Sequence, residues 1–426
     1  MNAQKAQEHP MSWLRTLQRK LYRVAKQGFG RKFGIMHDHV CNPQTLKEAW
    51  RRVSAKRGAS GVDRQTVAEI KAYGVGKFLA ELRSELENDQ YLANVIRRVY
   101  IPKGTNGKRP LGIPTLKDRV TQMAVKMIIE PLFEADFLEC SLGFRPKRSN
   151  KEAAQLVHKY SNTYKWVVDV DLKNYFDTID HETMMGLVRR RVSDRRTLRL
   201  IRQWLKAGIL EDGIVTAPER GTPQGGVLSP LLSNIYLHEI DKLWHGNTSV
   251  KLVRFADDMV ILCKSEAQAR RVLETLRKQL ETLKLTLNEE KTKIRHVRET
   301  FDFVGFTYRE SFSKKQSRLV RIKYPRAKSM QKIRDNIKSA VKEIPTGKDL
   351  SEVISVVNRK LRGWAEYFKI GNSYEPALEI TEFACEQLRI FWRRHKNRKS
   401  TQCTQIWQNK FFYERGLLYV PYLLKN

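Results

Sequence analysis

Acidic side chains in this 426-residue chain fall in two places where carboxylates could do chemistry. One is Lys251-Leu-Val-Arg-Phe-Ala-Asp-Asp-Met-Val-Ile-Leu-Cys263, where β-favouring runs flank Ala256-Asp257-Asp258. The pattern predicts a hairpin with two carboxylates at its tip. Adjacent acids between apolar strands repel each other and resist burial, so a positive partner is expected; a divalent cation is the simplest. An ordinary Asp-rich turn would carry the same local sequence. The other place is Trp166-Val-Val-Asp-Val-Asp-Leu-Lys-Asn-Tyr-Phe-Asp177. It begins as a strand, with Trp166, Val168, Val170 and Leu172 toward one face and Val167, Asp169 and Asp171 toward the other. Asp171 lies near the strand end, where a site would open. For a single Asp here, capping of the turn at Lys173-Asn174 is the structural alternative.

The flanking elements must hold these acids in place. Gly221-Thr-Pro-Gln-Gly-Gly-Val-Leu-Ser-Pro230 is a Gly/Pro-rich loop leading into a helix at 231–243; glycines permit close backbone approach to a ligand, and a helix start favours phosphate. Val95-Ile-Arg-Arg-Val-Tyr-Ile-Pro-Lys103, the turn Gly104-Thr-Asn-Gly107 and the return to Pro114 predict a hairpin tipped by Lys103, Lys108 and Arg109. Such a tip suits a closing finger that holds phosphates, and equally ordinary surface charge. Helices are expected over 44–56, 64–72, 76–88, 116–139 (with Pro131 a kink or division), 150–161, 181–208 and 265–284. Phe301-Asp-Phe-Val-Gly-Phe-Thr-Tyr308 reads as a short aromatic strand pair. Basic helices follow over 326–344, 350–369, 376–396 and 403–413, with a boundary near 312–325. Residues 11–33 read as a basic amphipathic helix, either packed or an arm that grips nucleic acid.

Composition narrows the partner. Lys and Arg number 80 against 46 acidic residues, a formal charge of +34. That excess argues for a polyanion, nucleic acid rather than membrane. No segment approaches the roughly 18–20 apolar residues of a membrane span. The N-terminal residues lack the apolar core of a signal peptide. Cys41, Cys140, Cys263, Cys385 and Cys403 are scattered, which predicts neither a zinc ribbon nor a disulfide framework. A cytoplasmic protein is expected.

Together these stretches resemble the reverse transcriptases encoded by bacterial group II introns, from about residue 45 to about 397. The resemblance rests on an ordered set: Arg109-Pro-Leu-Gly-Ile-Pro114, Gly143-Phe-Arg-Pro146, Asp171-x4-Phe176-Asp177, Gly221-Thr-Pro-Gln-Gly225, Phe255-Ala-Asp-Asp258, Asn288-x2-Lys291-Thr292, Val304-Gly-Phe306 and Gly363-Trp-x2-Tyr-Phe368. It implies an α+β right-hand polymerase: an N-terminal helical extension over 1–44, fingers and an antiparallel palm sheet over 45–315, and a helical thumb or maturase domain over 325–426. In such enzymes Asp171, Asp257 and Asp258 would hold two Mg²⁺ ions, Asp171 being preferred to Asp169 by its spacing from Phe176. Phe176 would exclude a 2′-hydroxyl, and Gln224 would lie beside nucleotide and template. Lys103 and Arg109 would contact the triphosphate, with Lys291 near the leaving pyrophosphate. Phe303, Val304, Gly305 and Phe306 would form the primer grip.

Nucleotidyl transfer agrees with that donor set: it needs a primer hydroxyl made nucleophilic and a leaving pyrophosphate neutralised, which two Mg²⁺ ions on hard carboxylate oxygens accomplish. In the thumb, Trp364, Tyr367 and Phe368 have the spacing of core residues. Arg362, Lys369, Arg389, Arg393 and Arg394 are placed to face RNA. One departure is Phe255, where the family more often has Tyr. Another is the lack of paired cysteines toward Asn426, from which no endonuclease activity is expected. The expected function is an RNA-directed DNA polymerase that binds its group II intron RNA, assists its splicing and copies it from a DNA primer using dNTPs. The alternatives are a splicing factor with little polymerase activity, or a host-adopted reverse transcriptase in defence or repair.

Overall fold

The computed structural model describes residues 13–56, 58–103, 107–314, 316–397 and 403–424. Outside these lie the start of the expected 11–33 helix, the centre of the Gly104–Gly107 turn, the Lys103 side chain, and parts of the 398–426 tail. Helices and sheets are both present, as an α+β fold requires. The chain forms two compact units, and it crosses between them several times: one holds 1–148, 171–247 and 272–291, the other 149–170, 248–271 and 292–426.

In the first unit, α1 (Trp13–Gln27), α2 (His37–Cys41), α3 (Pro43–Ser54), α4 (Val67–Tyr73) and α5 (Val75–Glu87) precede the expected hairpin, β1 (Ile96–Lys103) and β2 (Gly107–Ile113). The helix α6 (Leu116–Glu134) is the centre of this unit. Its Val120, Ala124, Val125, Ile128, Ile129 and Leu132 are wholly buried, and α1, α2 and α3 pack on it. Full burial of each such aliphatic is worth roughly 1.5–3 kcal/mol. Pro131 sits inside the last turn without dividing the helix, which ends five residues earlier than expected. The expected 181–208 helix is two, α9 (His181–Arg189) and α10 (Arg195–Lys206). Asp194 caps the start of the second: its carboxylate accepts the Thr197 N–H at 2.9 Å and the Met36 and His37 N–H groups at 2.8 Å.

Two short strands, β4 (Ile209–Glu211) and β5 (Ile214–Thr216), were not expected. β4 pairs parallel to β1 and extends the hairpin into a four-stranded sheet of order β2-β1-β4-β5. The short helix α8 (Tyr175–Thr178) and the long α11 (Ser229–Asp241) complete this unit. The helix α12 (Glu266–Thr282) carries the chain from the second unit back to the first.

The second unit is built on a four-stranded antiparallel sheet, β6 (Val250–Phe255), β7 (Asp258–Cys263), β3 (Trp166–Val170) and β8 (Lys293–His296), in the order β6-β7-β3-β8. The helix α7 (Asn150–Ser161) packs on β6 and β7. β3 differs from its expected alternation: Val167 and Val168 are both fully buried, so neither face is open, and Asp169 is half-buried. A central strand with neighbours on both edges reads as a near-continuous apolar run for this reason. A second sheet of three strands, β9 (Phe301–Phe303), β10 (Phe306–Ser313) and β11 (Arg318–Pro325), has the order β11-β10-β9. Its last hairpin occupies the stretch, 312–325, where a boundary was expected. The helices α13 (Ala327–Glu343), α14 (Leu350–Phe368) and α15 (Tyr374–His395) match expectation within two residues. The 403–413 helix is two short ones, α16 (Cys403–Ile406) and α17 (Asn409–Tyr413).

Candidate active site

The acidic hairpin is tight. Phe255 pairs with Asp258, leaving Ala256 and Asp257 as a two-residue loop. Ala256 has φ of 59°, a conformation that non-glycine residues seldom adopt. The strain is supported from below. Arg254 is fully buried, and its Nη1 donates to the Ala256 carbonyl at 2.9 Å. Asp258 is exposed and Asp257 half-buried. Sequence reasoning did not single out Arg254; the only available signal was a charged residue inside an otherwise apolar strand.

β3 is registered so that Val170 pairs with Met259, the residue after Asp258. Asp171 is the next residue of the chain after Val170. In its own unit Asp171 is laced to the segment before β8: its carbonyl accepts the Asn288 N–H at 2.8 Å, Leu172 bridges Leu287, and the Lys173 N–H reaches Thr286 at 2.9 Å. Lys291 comes with that segment, and its Nζ stands 3.4 Å from Asp171 Oδ2. Among the described residues, no group of three His, Cys, Asp or Glu side chains is gathered as a metal site. The fit to a hard divalent ion therefore rests on the donors themselves: carboxylate oxygens, one already facing a cation, the Lys291 ammonium.

The nucleotide-binding candidates of the first unit are brought together by backbone bonds. The Phe176 carbonyl accepts the Thr222 N–H at 2.8 Å, and the Gly221 N–H donates to Ile179 at 2.7 Å. A Cβ on Gly221 would stand 3.0 Å from the Asp177 backbone, so a side chain there would push the two segments apart. Tyr175 anchors the other side, its hydroxyl donating to the Ser233 carbonyl at 3.1 Å and its ring edge-on to Phe176. The Gln224 carbonyl accepts the Gly112 N–H at 2.6 Å, joining the Gly-rich loop to β2. A cavity of about 310 Å³ lies here, lined by Arg98, Gly112, Asp177, Arg220, Pro223 and Gln224 among others. Arg109 is exposed on β2, opposite Ile101. Lys103 pairs with Gly107 through its backbone.

The predicted primer grip is a turn between β9 and β10. Phe303 and Phe306 pair with each other and are buried, so they serve as its core. The turn itself, Val304 (φ 41°) and Gly305 (φ 85°), is half-buried. The Val304 carbonyl accepts the Tyr367 hydroxyl at 2.5 Å, and the Gly305 carbonyl accepts the Ser329 hydroxyl and the Arg326 N–H, both at 3.0 Å. Tyr367 thus has a polar duty, while Trp364 and Phe368 are buried as their spacing suggested. Arg362 and Arg394 are exposed and Arg393 is half-buried. Lys369 is paired with Glu366 at 2.8 Å. Arg389 is turned inward, donating to the Trp407 carbonyl at 3.1 Å and to Asn409 at 2.9 Å.

The cysteines Cys41, Cys263 and Cys385 are free, buried thiols. Burial pushes Cys41 and Cys263 up to about 12 and Cys385 up to about 11, so these three are packing residues rather than nucleophiles.

The chain is similar to known proteins along most of its length. Residues 101–308 match the family described as "Reverse transcriptase (RNA-dependent DNA polymerase)", and residues 330–407 match "Group II intron, maturase-specific domain". By class, the protein is a reverse transcriptase, an RNA-directed DNA polymerase. Protein YkfC of Escherichia coli K12 is 39% identical over 307 residues, 62% of this chain and 80% of its own. The group II intron-encoded protein LtrA of Lactococcus lactis is 26% identical across 88% of this chain and 77% of its own. The chain belongs to the family of group II intron-encoded reverse transcriptases and maturases. A solved structure, a partial Cas6-RT-Cas1--Cas2 complex, is similar over 57% of this chain and 42% of its own, with 25% identity and a TM-score of 0.37. No described helix is long and apolar enough to cross a membrane.

Proposed function

We propose that the chain is a Mg²⁺-dependent polymerase that binds its own group II intron RNA in the cytoplasm, assists its splicing and copies it into DNA from a primer. The observation that supports this most is the register of β3 on β7, with Val170 opposite Met259. It brings the strand leading into Asp171 alongside the strand that begins at Asp258. Asp171, Asp257 and Asp258 are the residues assigned to the metal; bound there, Mg²⁺ supplies charge neutralisation at the attacking and leaving oxygens. Arg254 holds the turn that presents Asp257 and Asp258. Lys291, now on Asp171, is the group assigned to the departing pyrophosphate. Phe176 and Gln224 are assigned to the sugar and base of the incoming nucleotide, and Lys103 and Arg109 to its triphosphate. The Val304-Gly305 backbone, backed by Phe303 and Phe306, is assigned to the primer strand. Arg362, Lys369, Arg393 and Arg394 are assigned to RNA, and Arg389 to holding Trp407 and Asn409 against α15. Fingers and palm over 45–315, a thumb over 325–426 and an extension over 1–44 belong to the same reading.

The test is primer extension on an RNA template with Mg²⁺, comparing the native chain with Asp257→Ala, alongside splicing of the flanking intron at low Mg²⁺. DNA synthesis lost in the variant, with splicing assistance retained by both, is expected. No synthesis by the native chain over a range of salt would sink the polymerase reading and leave an RNA-binding splicing factor.

A further inference from the structure

The Gly143-Phe-Arg-Pro146 motif contains a residue that the candidate site leaves unused. Phe144 is 49% exposed, and its φ of 58° lies in the left-handed region that bulky residues avoid. Both costs would disappear with glycine at this position. The loop cannot relax by turning the ring inward, because it is fixed on either side. On one side the Gly143 carbonyl accepts the side-chain amide of Asn234, a buried residue of α11, at 2.8 Å. On the other side Arg145 is buried. Its guanidinium donates to Glu134 at 3.0–3.1 Å and to the carbonyls of Leu138 (2.6 Å) and Ser141 (2.8 Å), and it lies over the Phe137 ring. Ser141 and Leu142 are buried beneath. The result is a rigid base with an aromatic ring pointing to solvent, and a strained conformation that persists only where its surroundings over-determine it. Three residues on, Lys147 is exposed, also with positive φ (62°).

We propose that Phe144 is a stacking platform for a nucleobase of bound RNA, with Lys147 meeting an adjacent phosphate. Every base offers a π-face to an aromatic ring, and a cation beside it follows the backbone. The chain's +34 charge fits a polyanion. The loop is pinned to α11, the helix that continues from the Gln224 loop. An RNA strand near the candidate nucleotide pocket is thus one source of the base, and a loop of a folded intron RNA is the other.

The inference rests on the nucleic-acid reading above, and the experiment separates the two. Phe144→Ala, Phe144→Trp and Phe144→Gly are compared with the native chain in melting temperature, and in anisotropy titrations at several salt concentrations. One probe is a primed RNA template with a 5′ overhang, the other an unprimed RNA hairpin. Phe144→Ala is expected to bind one of these about 5- to 150-fold more weakly, with an unchanged salt slope, since a neutral ring releases no counterions. Phe144→Trp retains binding. Phe144→Gly melts no lower than the native chain, because the backbone strain is gone, yet binds as weakly as Phe144→Ala. Loss on the primed template identifies a template base; loss on the hairpin identifies folded RNA. Unchanged binding of both probes by the Ala and Gly variants overturns the platform and leaves the polymerase reading standing. A native chain that binds neither probe overturns both.

Discussion

Gly225→Ala isolates the contact that seats the Gly-rich loop on β2. Gly225 has φ of 120°, and a Cβ there would lie 2.4 Å from the Gly112 carbonyl oxygen of β2 and 3.2 Å from a Leu111 methyl. The nearest atom is backbone and has no rotamer to yield, so the loop must withdraw by about 1 Å to restore an ordinary contact. That withdrawal breaks the 2.6 Å bond from the Gly112 N–H to the Gln224 carbonyl. Backbone strain costs about 1–3 kcal/mol and the lost bond about 0.5–1.5 kcal/mol. A local loss near 3 kcal/mol corresponds to a melting decrease of roughly 6–12 °C. Gly213→Ala is the control, since Gly213 also has positive φ (83°) but nothing lies within 4 Å of its Cβ position. Its cost should stay near 1 kcal/mol, with normal DNA synthesis. Primer extension by Gly225→Ala should decrease on the order of 100-fold, the penalty of misplacing a positioning group by about 1 Å. If both variants melted together and extended primers at the native rate, the packing of this loop on β2 would not be what seats Gln224.

Three further outcomes are expected. Tyr367→Phe removes the hydroxyl on the Val304 carbonyl and should destabilise by about 1–2 kcal/mol in urea. It should raise KM for the primed template and not for dNTPs, and equal rises in both would contradict a primer role. Arg254→Met deletes the buried donor under the Ala256 turn. It should shift the Mg²⁺ midpoint of primer extension upward several-fold, partly restored in Arg254→Lys; an unmoved midpoint refutes the positioning role. His37 is held below its ordinary 6.5, chiefly by burial and then by Arg196, against the opposing pull of Asp194. A depressed histidine favours the folded state above 6.5. The unfolded chain takes up the proton first as pH drops through 6.5, so stability is lost there. The urea midpoint should therefore fall between pH 7.5 and 5.5 and flatten in His37→Gln; a parallel fall in both sinks the assignment.

The acidic hairpin was legible because two β-favouring runs flank a pair of acids that can sit only at a turn. The glycines at 221 and 225 were read as room for a ligand, whereas what approaches them is the chain's own backbone at Asp177 and Gly112. Burial of charge was not legible. Arg254 and Arg145 read locally as surface cations, and only the folded chain supplies the carbonyls and carboxylate that satisfy them. The β4–β5 hairpin was readable and went unread: Glu211-Asp212-Gly213-Ile214 has the Asp-Gly signature of a primed turn, and Asp212 and Gly213 do adopt φ of 49° and 83°. Its strands of three residues are too short to show alternation. Periodicity could not choose between an arm and a packed helix for the N-terminal segment. Side chains settle it: Gln18 and Lys26 donate to the Met127 and Ala135 carbonyls at 2.8 Å, and the buried Arg191 guanidinium donates to the carbonyls of Ala25, Gly28 and Arg31.

Because the chain passes back and forth between its two units, neither is written as an uninterrupted stretch of gene. A single recombination crossover cannot exchange one unit for a homologue's, and neither can be released whole by cutting the chain once. The order of synthesis imposes a wait as well. β3 leaves the ribosome before either of its neighbours, β7 and β8, has been translated. At about 5–20 residues per second this apolar strand spends seconds without partners, as a nascent edge open to mispairing until β7 and β8 arrive.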